Sequence, residues 1–139
     1  PLRAVQVGGP LGAYLPENML DLKLDYEAFT QAGAGLGHGG IVLFNDSVNM
    51  REQAQYAFEF CAHESCGKCT PCRIGSVRGA ELIAGLKTAA DTSAQISLVN
   101  ELCEVMIAGS ACAMGSMTPI PVQSAINYFP ADFATGDIK

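Results

Sequence analysis

The run Glu64-Ser65-Cys66-Gly67-Lys68-Cys69-Thr70-Pro71-Cys72-Arg73 sets three cysteines at two-residue intervals. A tight loop with this spacing turns three sulfurs toward one centre while the backbone wraps round it, and one further ligand closes a four-thiolate site. Two cysteines lie downstream. Cys103 falls on the apolar stripe of a helical pattern, where a thiol serves as a small core hydrophobe. Cys112 lies in the loop-like run Gly109-Ser110-Ala111-Cys112-Ala113-Met114-Gly115, which can carry a sulfur to a centre without distorting a helix. The candidate ligands are therefore Cys66, Cys69, Cys72 and Cys112. Cys61 recurs at helical spacing with Ala54, Ala57 and Phe58, and it is assigned with Cys103 to the core.

A C-x2-C-x2-C run with a remote fourth cysteine is the arrangement of a [4Fe-4S] cubane, one thiolate to each corner iron. Structural zinc sites take their ligands as two separated pairs, and the second pair is missing here: His38 and His63, the only histidines, have no partner at zinc spacing. A structural zinc module that holds a docking surface stays open as the rival reading. A disulfide framework fits less well, because bridging cysteines three apart in a tight loop is geometrically awkward. Six cysteines in 139 residues also fall short of the density of a small secreted scaffold.

With 49% hydrophobic and 16% charged residues the chain is globular with a substantial core. A formal charge of −6 argues against nucleic-acid binding, which needs clustered cations facing phosphates. Placement matters more than the total. Residues 63–90 hold Lys68, Arg73, Arg78 and Lys87 against Glu64 and Glu81, so positive charge gathers where an anionic cluster would sit. Lys68 and Arg73 are the candidate electrostatic tuners. No apolar stretch approaches the ~20 residues of a membrane span and no signal-like segment opens the chain, so neither membrane insertion nor export is expected. Free clustered cysteines suit a reducing compartment, and a cytoplasmic location is expected. The chain starts at Pro1 in the middle of a strand pattern, which suggests a segment of a longer polypeptide.

Two regions follow from periodicity: a small α+β unit over 1–48 and a helical unit over 49–139. Leu2 to Val7 and Ala13 to Leu15 read as strands, Asp25 caps a short helix, and Ile41-Val42-Leu43-Phe44 suits a buried strand. The run Gly35-Leu36-Gly37-His38-Gly39-Gly40 matches G-x-G-x-x-G as a bare pattern, yet it precedes a strand and opens no helix, so it is a turn-rich loop and not a dinucleotide fingerprint. Asn49 with Glu52, and Thr92 with Gln95, read as capping boxes of two helices. A further helix follows Cys72, and a last one starts at Thr118-Pro119-Ile120-Pro121. The four form a bundle with the metal centre at one end. Gly75, Gly79 and Gly85 weaken their helix and so imply close backbone packing. Met114 and Met117 are placed to shield the centre or to fill gaps, and the Gly67 N–H is a candidate donor to a ligand sulfur. No general acid, base or nucleophile is required, and His63 and Glu64 read as supporting or surface groups.

ESCGKCTPCR followed by Ser110-Ala111-Cys112 resembles the C-terminal iron–sulfur region of the flavin-containing NADH-binding subunit family of respiratory complex I and of NAD-reducing hydrogenase diaphorases. The details are most similar to the beta subunit of molybdenum- or tungsten-dependent, NAD-dependent formate dehydrogenase. Val7-Gly8-Gly9-Pro10-Leu11-Gly12-Ala13-Tyr14-Leu15-Pro16, Cys72-Arg73-Ile74-Gly75-Ser76, and Cys112-Ala113-Met114-Gly115 with Met117-Thr118-Pro119 carry that likeness. The resemblance implies a β-grasp-like domain, related to soluble-ligand-binding modules, followed by the [4Fe-4S] helical domain. It places the cluster ligands on Cys66, Cys69, Cys72 and Cys112. It also implies a relay of single electrons between FMN and other iron–sulfur centres, with the FMN and NAD sites N-terminal to this segment. The implied partners are an iron–sulfur gamma-type subunit and a metal-containing catalytic subunit.

Overall fold

The computed structural model describes residues 1–134. In chain order they form β1 (Leu2–Val7), β2 (Ala13–Pro16), a 3-10 turn (Glu17–Met19), α1 (Tyr26–Gln31) and β3 (Ile41–Asn45). Then come α2 (Met50–Glu64), α3 (Thr70–Gly85), a 3-10 turn (Leu86–Thr88), α4 (Thr92–Gly109), α5 (Ala113–Met117), α6 (Pro119–Tyr128) and a 3-10 turn (Pro130–Phe133). The class is α+β.

The sheet is antiparallel in the order β2-β1-β3, with Val5 opposite both Leu15 and Leu43. Its two faces follow the period of two along β1. Ala4 faces the helices with Tyr14 and Phe44, whereas Val5, Val7 and Leu15 turn to the other side and pack with Phe29 of α1. β3 is not the buried strand its apolar run suggests. It lies at the sheet edge, and Leu43 is 67% exposed. A short apolar run fixes neither edge nor centre, because the central place went to β1. The glycine run before β3 folds back on the first hairpin, where the Gly8 N–H donates to the Gly40 carbonyl at 2.9 Å.

The caps differ in detail from the boxes read in the sequence. Asn49 Oδ1 accepts from the Arg51 and Glu52 N–H groups at 2.9 and 3.3 Å, but the Glu52 carboxylate reaches Lys87, 3.8 Å away. At α4 the cap is Asp91, one residue earlier than Thr92; its carboxylate accepts from the Ala94 N–H at 2.9 Å. Aspartate caps better than threonine. Gln95 is thereby freed to cross to α3, where its amide donates to the Leu82 carbonyl.

Helix α2 packs on α3 and α6, α3 on α4, and α4 on α6. Phe58, Cys61, Ile83, Val99, Cys103, Met106 and Val122 fill the space between them and are fully buried. The sheet shares this core through β2, which lies on α6: the Tyr14 N–H donates to Ser124 Oγ at 2.9 Å, and the Tyr14 and Phe44 rings meet edge to face. Asp132 ties the strand end to the helices, since its buried carboxylate takes both the Arg3 guanidinium and the Met50 N–H. Asp132→Asn keeps an acceptor for the N–H but removes the charge facing Arg3. We expect a loss of about 1–2 kcal/mol in the stability of the folded protein, read from the denaturant midpoint, and an unchanged midpoint would show the tie to be dispensable.

Candidate metal centre

Helix α2 delivers the chain to the cysteine loop. Its last turn closes with the Ser65 N–H on the Cys61 carbonyl at 2.8 Å, and Gly67 then turns the chain with φ +74°, a left-handed conformation that a side chain would strain. The next helix does not wait for Cys72. Helix α3 begins at Thr70, with Cys69 as its N-cap and Pro71 in the first turn, where a missing N–H costs nothing. Cys72 thus sits on the helix, not the loop. On the far side the expected loop contains α5, whose N-cap is Cys112.

These elements bring all four candidate thiols to one cavity of about 350 Å³, bordered also by Glu64, Ser65, Lys68, Ala111 and Met114. Cys66 and Cys112 are exposed, Cys69 is half-buried and Cys72 is buried. Cys61 and Cys103 are both fully buried in the core and outside the cavity wall. Burial pushes the Cys61 thiol up to about 11 and the Cys103 thiol to about 12, so both stay protonated at neutral pH. Cys69 moves the other way. The Ala111 N–H, 3.4 Å from its sulfur, and then the Cys72 N–H hold its thiol below the ordinary range and favour the thiolate that binds metal.

The Gly67 N–H meets no ligand sulfur. It donates to Ser65 Oγ at 3.1 Å, because the serine hydroxyl two residues back captures it in a local turn. That hydroxyl lies 3.2 Å from the Cys72 sulfur. Arg73 locks the loop from outside through a bond to the Gly67 carbonyl at 2.6 Å. His63 and Glu64 pair with each other at the surface, 3.0 Å apart. Met114 lines the cavity, whereas Met117 is absent from its wall.

The cavity fits a polynuclear sulfur-rich group. Its donor set is four cysteine sulfurs facing a space of about 350 Å³, and among the described residues no group of three or more His, Cys, Asp or Glu is close enough to hold a single metal ion. Ser110 Oγ is buried without a hydrogen-bond partner. It lies with the Cys72 Cβ against Gly115, a polar atom left over beside the thiols.

Residues 52–136 match the family described as the NADH-ubiquinone oxidoreductase-F iron-sulfur binding region. The chain belongs to this family. The cofactor of this iron–sulfur binding region is a [4Fe-4S] cluster, in accord with the four-thiol cavity. Among relatives, the NADP-reducing hydrogenase subunit HndC of Solidesulfovibrio fructosivorans is 34% identical over 94% of this chain and 27% of its own length. An NADH-quinone oxidoreductase subunit of Rhizobium meliloti is 32% identical over 95% of this chain and 31% of its own. The chain thus spans about three-tenths of the curated relatives it matches. The crystal structure of an NAD+-reducing [NiFe]-hydrogenase superposes with a TM-score of 0.82 at 29% identity, over 95% of this chain and 22% of that one. Among the described residues no helix is long and apolar enough to cross a membrane.

Sequence reasoning missed three features of the site: α5, the hydroxyl of Ser65, and the approach of Cys61 to Cys72. The last was accessible in principle. Cys61 lies on the inward face of the final turn of α2, one turn before Ser65, so its side chain is directed to the same end as the cysteine loop.

Proposed function

We propose that this chain is the electron-transfer segment of an NAD(H)- and FMN-dependent oxidoreductase subunit, with Cys66, Cys69, Cys72 and Cys112 as the ligands of its [4Fe-4S] cluster. The observation that carries the reading is the convergence of these four thiols, and of no other cysteine, on one cavity. When bound, the cluster supplies a store for one electron at a time. The chain's own residues hold and insulate it. The Ala111 N–H favours the Cys69 thiolate, Lys68 and Arg73 place positive charge beside an anionic centre, and Met114 excludes water from one wall. FMN and NAD belong to the rest of the subunit. Residues 1–48 act as a β-grasp-like docking spacer and residues 49–139 as the cluster domain, a bundle of α2, α3, α4 and α6.

The motif details favour NAD-dependent formate dehydrogenase, with an iron–sulfur gamma-type and a metal-containing subunit as partners in a cytoplasmic complex. The names of the relatives favour a second reading, the same relay in an NAD(P)-reducing hydrogenase or a quinone oxidoreductase. Purification of the native complex decides between them. Formate-dependent reduction of NAD, absent with hydrogen, supports the first; hydrogen- or quinone-dependent turnover without formate activity refutes it.

Lys68 and Arg73 give a quantitative test. Reduction makes an anionic centre more negative, so a nearby cation stabilises the reduced form and its removal lowers the potential. With an effective dielectric constant of about 20, Lys68→Gln is expected to lower the potential by roughly 1 kcal/mol, about 40 mV for one electron. Added salt should shrink this difference. A redox titration followed by EPR is the measurement, and a potential that stays put or rises shows Lys68 to be an ordinary surface charge.

A further inference from the structure

Cys72 differs from the other three candidate ligands in having two proton-bearing side chains against its sulfur. Ser65 Oγ lies at 3.2 Å and Cys61 Sγ at 3.7 Å. The directions of these contacts follow from the inventory of donors. A ligating cysteine is a thiolate and accepts only. The Ser65 oxygen is already occupied as acceptor by the Gly67 N–H at 3.1 Å, which leaves its own hydrogen for the Cys72 sulfur. Besides Cys72, Cys61 has the Met114 carbonyl in reach at 3.8 Å, an oxygen that takes the Thr118 hydroxyl at 2.7 Å. The hydroxyls of Thr118 and Ser76 lie beside its sulfur with their own hydrogens committed to the Met114 and Cys72 carbonyls.

We infer that Ser65 and Cys61 are positioning residues that donate to the Cys72 sulfur and raise the reduction potential of the centre it binds. The inference rests on the reading of Cys72 as a ligand. Reduction places added charge on the ligand sulfurs, so a donor to one of them stabilises the reduced form more than the oxidised form. The two donors are unequal: a hydroxyl is strong, and S–H is weak. They also have separate supports. Ser65 is fixed by the loop turn at Gly67, and Cys61 by the core of α2, so each can be removed without the other.

The test is a redox titration followed by EPR on the complete cluster-loaded subunit. Ser65→Ala is expected to shift the oxidised-to-reduced ratio at fixed potential about tenfold toward oxidised, a fall of about 59 mV, and Cys61→Ala about threefold, roughly 30 mV. Cys61→Ser restores a donor and should move the potential back toward wild type. In the wild-type protein, electron–nuclear double resonance of the reduced centre should show a deuterium-exchangeable proton coupling that weakens in Ser65→Ala. That measurement decides the matter even if the buried Cys61→Ala variant fails to load. Variants that carry four irons with wild-type potentials, or a wild-type centre without exchangeable couplings, overturn the inference. Full iron content in Cys72→Ala would instead sink the ligand reading on which it stands.

Discussion

Alanine in place of Cys66, Cys69, Cys72 or Cys112 is expected to abolish the four-iron centre, whereas Cys103→Ala keeps iron content and visible absorption intact. The contrast is sharp because the two groups of cysteine differ in place, not in reach along the chain. Cys103 and Cys112 are nine positions apart in the sequence, yet Cys103 lies fully buried between the Val99 and Met106 turns of α4, and Cys112 caps α5 at the cavity wall. Each cubane corner needs its own thiolate, and Cys103 cannot reach the cavity from the middle of α4 without unwinding that helix. Cys103→Ala removes only a small core group and should cost about 1 kcal/mol of stability. Iron analysis and EPR of anaerobically reconstituted variants decide the matter. Full retention in Cys112→Ala together with loss in Cys103→Ala would overturn the ligand set.

Local signals in this chain were legible, and signals set by neighbours were not. The Asn49 and Asp25 caps and the last helix near Pro119 depend on residues close in sequence, and each has its counterpart in the structure. The exposure of β3 depends on which strand takes the middle of the sheet, a choice made some forty residues away by β1. The early start of α3 is a subtler case. Thr70-Pro71 is a good helix opening, but three evenly spaced cysteines read as one continuous loop, and the proline signal was outweighed by the ligand pattern. Cys61 shows the same limit at the centre itself. Its periodicity places it correctly in the core, yet a period says which face a residue occupies and nothing about the sulfur that meets it there.

The packing of α2 on α3 gives the second large effect, and here two rules of thumb conflict. Gly79 lies inside α3, and replacing an interior helical glycine by alanine ordinarily gains up to about 1 kcal/mol. In this fold a Cβ at Gly79 would come within 2.5 Å of Cδ1 and Cζ of the Phe58 ring. The ring is fully buried and has no solvent to swing into. Overpacking of this kind costs about 1–3 kcal/mol, so the steric term wins and Gly79→Ala should destabilise by about 1–2 kcal/mol net. Phe58→Ala removes the ring itself and should cost about 3–5 kcal/mol, since the slot beside Gly79 is left empty. The two sites touch, so their effects should not add: in a Phe58→Leu background Gly79→Ala should cost measurably less than in wild type. Because α2 and α3 carry the two ends of the cysteine loop, Phe58→Ala should also lose iron to a chelator faster than wild type. Denaturant midpoints of the cluster-loaded protein, read by circular dichroism, provide the cycle. A Gly79→Ala variant more stable than wild type by its full helix propensity would show that the ring has room to move, and that the glycine does not serve the contact between the helices.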